Sequence, residues 1–351
     1  MKTSTVWTRL GGVMAIAAGL ALAGAASAQK PEEKVLRLFC WSEYVPQDVV
    51  KAFTKETGIK VSVENYASNE EMLAKLASGG GYDLIQPSEY VVEALAKAGR
   101  LEPLDHSKLG NLKNLDPAFL DMPFDPKNKY SVPWMAGTVG IAVNTARIKE
   151  PITGFEDVFQ ARHKGRIVVL DDGREMVSWA LATLKIDAND ITKATLEKAR
   201  AVVSKWVPLI KVYDSDSPKT ALLNGDVDLG VVWSGEGAAL LKEDKKFAWV
   251  MPKEGTHLFV DSLAIPKGTK HPGNAHLFID FILRPDISAK VSEEFPYLNP
   301  NLAARKLLTQ AQLGNAASFP SEAEMKRLGV FRDIGAMASS IDEMITDLKA
   351  Q

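Results

Sequence analysis

The chain has 351 residues, of which 44 are Asp or Glu, 42 are Lys or Arg and one is Cys. With 46% hydrophobic and 8% aromatic residues the composition is that of a globular protein, which excludes a disordered, collagen-like or disulfide-stapled chain. A formal charge of −2 provides no basic surface for nucleic acid, and one cysteine excludes a zinc cluster built from cysteines. The length predicts two lobes of about 100–200 residues each.

The first 28 residues have the pattern of a cleaved signal peptide. Lys2 and Arg9 form a basic segment, residues 10–23 are apolar, and residues 26–28 (Ala-Ser-Ala) are the small-residue pattern read by signal peptidase. The competing interpretation is a membrane anchor, but the apolar stretch is shorter than the roughly 18 residues of a spanning helix. We predict cleavage after Ala28 and an exported mature chain without membrane insertion.

Short apolar runs alternate with helical patterns from Val35 onward, which is typical of an α/β protein with largely parallel sheets. In chain order the first half has predicted strands at residues 35–39, 60–64 and 82–86 and predicted helices at 46–57, 68–78 and 91–97. A second lobe is predicted to begin after about Ala136. Its predicted elements are strands at 166–170 and 229–232, an extended segment at 259–265, and helices at 174–184 and 195–205.

Acidic, aromatic and hydroxyl side chains follow four of the predicted strands. These segments are Cys40-Trp41-Ser42-Glu43-Tyr44, Pro87-Ser88-Glu89-Tyr90, Asp171-Asp172-Gly173-Arg174-Glu175 and Trp233-Ser234-Gly235-Glu236. In open α/β sheets, ligands bind at the carboxyl ends of the strands. Helix capping accounts for Glu89 or Asp171 without any ligand, but it does not require Trp and Tyr beside the acids.

Carboxylates and aromatic faces together favour an organic cation with a hydrocarbon body. Asp172 and Glu175 share a face if the helix has begun, and Asp261 comes from a third segment. Converging acids repel one another and raise one another's pKa values, and a polycationic ligand relieves that repulsion. The lone Cys40 is best explained as a buried thiol.

These segments resemble, in order, the periplasmic spermidine- and putrescine-binding receptors of polyamine ABC transporters. Further matching segments are residues 57–61, 82–84, 104–105, 114–117, 252–255, 261–266, 283–286 and 300–304. The resemblance implies a periplasmic-binding-protein-like fold, with two doubly wound α/β lobes joined by crossover strands around a hinged cleft. It places lobe 1 at residues 29–137 plus about 262–307, and lobe 2 at about 138–261 plus 308–351.

The resemblance also implies a function and a set of ligand contacts. The chain would be a monomeric periplasmic receptor that delivers polyamines to the permease subunits of an ABC importer, with no cofactor, metal or catalytic residue. The implied aromatic contacts are Trp41, Tyr44, Trp233, Phe259 and Tyr297. The implied polar contacts are Ser42, Ser88 and Tyr90, and the implied ammonium partners are Glu43, Asp172, Glu175, Glu236 and Asp261.

Three departures from the family pattern leave the choice between putrescine and spermidine open. Cys40 stands where these receptors usually carry Asn, and Phe259 stands where spermidine receptors tend to have Trp. Near Phe331 there is no counterpart of the Gln that some spermidine receptors use. The acid count favours spermidine slightly.

Other functions have weaker support in the sequence. An enzyme is disfavoured because the five histidines lack metalloprotease spacing and there is no nucleophile elbow or phosphate-binding loop. An acid/base pair of Asp172 and Glu175 would not lie across a scissile bond. The same fold could bind another organic cation, a ferric ion or an anion, although the Trp and carboxylate residues argue against the last two. A polyamine sensor would share the same pocket.

Overall fold

The structure is a computed structural model that describes residues 32–351. The predicted signal peptide and its cleavage point after Ala28 lie outside the described residues. In residues 32–351 the strands are β1 Val35–Trp41, β2 Lys60–Tyr66, β3 Leu84–Ile85, β4 Ser131–Asn144, β5 Ile167–Val169, β6 Ile210–Tyr213, β7 Leu229–Trp233, β8 Phe247–Val250 and β9 Leu258–Ala264.

Helices surround these strands. The described helices are α1 Gln47–Thr57, α2 Asn69–Ala77, α3 Glu89–Lys97, α4 Phe155–Val158, α5 Gly173–Thr183, α6 Lys193–Trp206, α7 Lys219–Leu223, α8 Ser234–Glu243, α9 Pro272–Ile282, α10 Pro285–Glu294, α11 Leu302–Arg305, α12 Gln310–Leu313, α13 Glu322–Met325 and α14 Met337–Lys349. No helix in this part of the chain is long and apolar enough to cross a membrane.

The strands form one mixed sheet in the order β2-β1-β3-β9-β4-β7-β5-β6, with β8 paired to β4. Two parallel groups lie at its ends, because β1 is parallel to β2 and β3, and β5 is parallel to β6 and β7. The central strands β4 and β9 are antiparallel to each other and to their outer neighbours. The α/β fold class is confirmed, but the prediction of largely parallel strands is wrong for the centre of the sheet.

Strand β4 carries the chain from one parallel group to the other. Residues 131–138 pair with β9, and residues 139–143 pair with β7. Every side chain of β4 is buried, so this strand belongs to the core along its whole length. The lobe boundaries predicted from the sequence stay a prediction.

Apolar helix faces cover both parallel groups. Helices α5, α6 and α14 pack against β5 and β7 through a cluster that includes Trp179, Trp206 and Ile345. Helices α1, α9 and α10 cover β1 and β9 through residues such as Phe53 and Phe278, and Cys40 is buried in the same cluster, as predicted. These packed layers fix the carboxyl ends of the strands, where the next residues of the chain form a cavity.

Candidate functional site

A cavity lies at the carboxyl ends of β1, β5 and β7 and is closed on one side by β9. It holds about 690 Å³ of space that no protein atom fills, including its mouth. All the site residues predicted from the sequence line it, namely Trp41, Ser42, Glu43, Tyr44, Ser88, Tyr90, Asp172, Glu175, Trp233, Glu236, Phe259, Asp261 and Tyr297. The structure therefore brings together side chains that are up to 256 residues apart in the chain.

Aromatic rings form a continuous wall on one side of the cavity. The ring centroids of Tyr44 and Tyr297 are 5.2 Å apart, and those of Phe259 and Tyr297 are 6.0 Å apart. Trp233 packs edge-on against Phe259 at 5.5 Å, and its indole N–H donates to the Ser215 carbonyl at 3.0 Å. Each ring is held by another ring or by the backbone, so the wall is shaped before any ligand enters.

Asp261 lies on β9 at the base of this wall. Its carboxylate accepts hydrogen bonds from the Tyr44 hydroxyl and the Ser88 hydroxyl, both at 2.7 Å. Burial raises the pKa of Asp261 to about 7, although these two hydrogen bonds favour the ionised form. The residue is only 3% exposed, so its charge has little access to water.

Asp172 is the N-cap of α5, and its carboxylate accepts the Glu175 backbone N–H at 3.0 Å. Burial is the main cause that raises the pKa of Asp172 to about 7, and repulsion from Glu175 adds to it. In the part of the chain that the structure describes, neither Asp172 nor Asp261 forms an ion pair. Among the cavity-lining acids of residues 32–351 that are not exposed to solvent, these two are the ones without an ion pair.

Glu175 is already paired inside the protein. His257 lies between two buried carboxylates, with its Nδ1 2.6 Å from Glu175 and its Nε2 2.7 Å from Glu89. Burial lowers the pKa of His257, but attraction to Glu89 and Glu175 outweighs it and raises that pKa to about 10. The imidazole is therefore a cation at neutral pH, and it stacks on Phe331 with 3.6 Å between ring centroids.

Glu236 and Glu43 share a second internal cation. The Lys219 ammonium lies 2.8 Å from Glu236 and 3.1 Å from Glu43. Burial raises the pKa of Glu236, and Lys219 opposes that rise. Three of the five acids predicted as ammonium partners thus have a protein cation beside them.

The sequence analysis did not identify several residues of the cavity wall. These residues are Tyr66, Ala67, Asn69, Arg174, Ser215, Asp216, His257 and Phe331. Strand β6, which was not predicted, is parallel to β5 and ends directly before residues 214–219. Its recognition as a strand would have placed Ser215, Asp216 and Lys219 at the ligand-binding edge of the sheet.

The arrangement suits binding of an organic cation. In residues 32–351 no group of three or more His, Cys, Asp or Glu side chains is placed to hold a metal ion. The cavity offers two carboxyls that form no ion pair in the described part of the chain, beside aromatic faces that attract ammonium groups and pack against methylenes.

The fold and this site define a solute-binding protein. The chain belongs to the family of bacterial extracellular solute-binding proteins, whose model matches residues 48–320. It is 37% identical over 338 residues to the spermidine/putrescine-binding periplasmic protein of Escherichia coli K12, an alignment that covers 95% of this chain and 97% of the relative.

Two further relatives agree with this assignment. The chain is 38% identical to the spermidine/putrescine-binding periplasmic protein 1 of Haemophilus influenzae, over 89% of this chain and 88% of the relative. The solved structure of the spermidine/putrescine ABC transporter substrate-binding protein PotD from Streptococcus pneumoniae superposes with a TM-score of 0.79 at 32% identity, covering 91% of this chain and 99% of that structure. The predicted periplasmic-binding-protein-like fold is confirmed.

Proposed function

We propose that the chain is a periplasmic receptor that binds polyamines in this cavity and delivers them to an ABC importer. The names of its relatives support the ligand class and the transport context. The observation that carries the proposal is a pair of acids beside the aromatic rings of the cavity, the buried Asp261 and the half-buried Asp172, neither of which forms an ion pair in residues 32–351. A buried carboxylate is costly unless a cation pairs with it, and a ligand ammonium supplies that cation.

Each group of lining residues has a role in this proposal. Asp172 and Asp261 pair with the ligand ammonium groups. The ligand methylenes pack against the aromatic rings of Trp41, Tyr44, Trp233, Phe259 and Tyr297. Ser42, Ser88 and Tyr90 supply polar contacts, and Glu43, Glu175 and Glu236 add negative potential through their internally paired carboxylates.

Isothermal titration of the purified mature chain tests the ligand. Putrescine, cadaverine, spermidine and spermine are titrated in parallel, and N-acetylputrescine, which has lost one charge, is the control. We expect a saturable 1:1 isotherm for at least one amine, and binding at least about 10-fold weaker for the acetylated form, because it leaves one carboxyl unpaired. Equal binding of the acetylated form, or no binding of any amine, would contradict the proposal.

We also propose that the chain is exported, is a monomer and leaves its ligand chemically unchanged. Mass spectrometry of protein from an osmotic-shock fraction should give a mature chain that begins at Gln29. Amine recovered from the loaded protein should be chemically unchanged. Deletion of the gene should reduce uptake of labelled amine, whereas a receptor used only for sensing would leave uptake intact.

A further inference from the structure

Lys219 is coordinated as a ligand ammonium would be. It begins α7, its side chain is 17% exposed, and its ammonium reaches acids that line the cavity. Its ammonium lies within 2.8 Å of Glu236, 3.1 Å of Glu43 and 3.4 Å of the Ser217 hydroxyl. An ammonium has three N–H donors, and these three acceptors satisfy all of them. Two of these acceptors, Glu43 and Glu236, are themselves cavity-lining acids.

The internal cations change the charge available to a ligand. Lys219 is shared by Glu43 and Glu236, and His257 is shared by Glu175 and Glu89, which lies behind the cavity wall. Of the cavity-lining acids that are at least half-buried, Asp172 and Asp261 form no ion pair in the described residues, although the Arg174 guanidinium also lines the cavity and attracts Asp172 at longer range. Asp216 also lines the mouth, but it is exposed, and pairing with an exposed carboxylate contributes little because water competes for the charge.

We propose that Lys219 is a specificity-determining residue that fills one ammonium subsite of the cavity, so that the preferred ligand is a diamine and not a triamine. The inference rests on the proposed function, because it concerns the amine that the same cavity selects. A third ligand ammonium has two options. It enters the cavity without a buried carboxylate partner, or it displaces Lys219 from Glu43 and Glu236. Each option costs binding free energy that a diamine does not lose.

The number of charges accepted should therefore change when Lys219 is removed. Lys219→Ala deletes the internal ammonium, opens the volume of its side chain and leaves Glu43 and Glu236 without their cation. A triamine can then place its third ammonium between these two carboxylates. Putrescine and cadaverine, whose two ammonium groups already pair with Asp172 and Asp261, gain no new partner.

The experiment compares putrescine, cadaverine and spermidine on the wild type and on Lys219→Ala by isothermal titration. We expect the wild type to bind a diamine at least about 10-fold more tightly than spermidine, and Lys219→Ala to bind spermidine at least about 10-fold more tightly than the wild type does. Diamine affinity should stay within about threefold, which also shows that the variant is folded. The matched control is Lys246→Ala, which removes a lysine paired with Asp244 outside the cavity and should change neither affinity.

A double variant tests whether the improved spermidine affinity of Lys219→Ala depends on Glu236. Adding Glu236→Gln to Lys219→Ala should abolish the improved spermidine binding, because the third ammonium loses its buried carboxylate. If the wild type prefers spermidine and Lys219→Ala does not change that preference, this inference is overturned. The proposed polyamine receptor would still stand in that case. Failure of the wild type to bind any amine would overturn both.

Discussion

Asp261 is the single residue on which ligand affinity should depend most strongly. It is held in place by the hydroxyls of Tyr44 and Ser88, and it has no protein cation beside it in the described residues. Asp261→Asn keeps the size of the side chain and removes its charge, which leaves a ligand ammonium unpaired in a buried site. We expect a loss of affinity on the order of 3–5 kcal/mol, measured by isothermal titration. Asp244→Asn, at a surface ion pair, is the control, and equal affinity of both variants would contradict the role of Asp261.

The raised pKa values of Asp172 and Asp261 predict proton release on binding. Burial places both pKa values at about 7 in the free protein, so each carboxyl is partly protonated near neutral pH. A ligand ammonium favours the ionised form, and binding must therefore release protons and must weaken as pH falls through 7. We expect release of roughly one to two protons at pH 6.5 and almost none at pH 9.

Titrations in two buffers of different ionisation enthalpy measure this proton release. Asp172→Asn should reduce the number released at pH 6.5 by about one, because one of the two titrating carboxyls is gone. His257 does not titrate in this window, because its pKa is raised to about 10. Binding without proton exchange at both pH values would contradict ammonium–carboxylate pairing at these two residues.

Helix α8 positions one aromatic ring of the site through a glycine. A Cβ atom added at Gly235 would lie 2.4 Å from Cζ of Tyr297, so Gly235→Ala must displace the ring from the cavity wall. We expect about a 10-fold loss of amine affinity, measured by isothermal titration. Gly237→Ala is the matched control, since its Cβ would lie 2.3 Å from Trp249, which is outside the cavity. A loss of the same size in both variants would show that general strain, and not Tyr297, is responsible.

At the scale of elements, the sequence predicts strands well when they are short, apolar and bounded by turns. Strands β1, β2, β5 and β7 lie where they were predicted, and α2 has the Ser68 cap expected at its first turn, with the Ser68 side chain accepting from Glu71. Strand β4 was not predicted, because its 14 buried residues include proline and two glycines and show no alternation. Such a strand is recognised only from its pairing with β7 and β9.

The same limit applies to the site. Residues at strand ends were identified because a strand fixes where the following side chains go, as at Trp41 and Trp233. Most partners of the internal cations are far away in the chain: Lys219 and Glu43 are 176 residues apart, and His257 and Glu89 are 168 apart. Lys219 and Glu236 are only 17 residues apart, but this pair was missed because strand β6 was not predicted and α7 was therefore not placed at the edge of the sheet. A sequence shows which acids converge on one edge, but the charge left for a ligand depends on long-range pairs that only the folded chain defines.

At the scale of the whole molecule, His257, the residue directly before β9, links that strand to α3 and α5 through its two buried carboxylate partners. His257→Gln removes the cation and leaves Glu89 and Glu175 buried without it. We expect the free energy of unfolding at pH 7.5 to fall by about 3–5 kcal/mol, measured by urea denaturation. The control is His106→Gln, which changes an exposed histidine outside the cavity whose Nε2 lies 2.8 Å from the Asn128 carbonyl, and it should lower that free energy by no more than about 1.5 kcal/mol.

The pH dependence of unfolding separates this ion pairing from simple packing. The pKa of His257 is raised from 6.5 in the unfolded chain to about 10 in the folded one, so its stabilisation is complete below pH 6.5 and is lost as pH rises through 10. Between pH 7.5 and 9.5 the wild type should therefore lose up to about 1.4 kcal/mol of stability per pH unit from this group. His257→Gln should lack that component of the slope. Parallel pH profiles for the two proteins would mean that the imidazole is neutral and that the three elements are held together by packing alone.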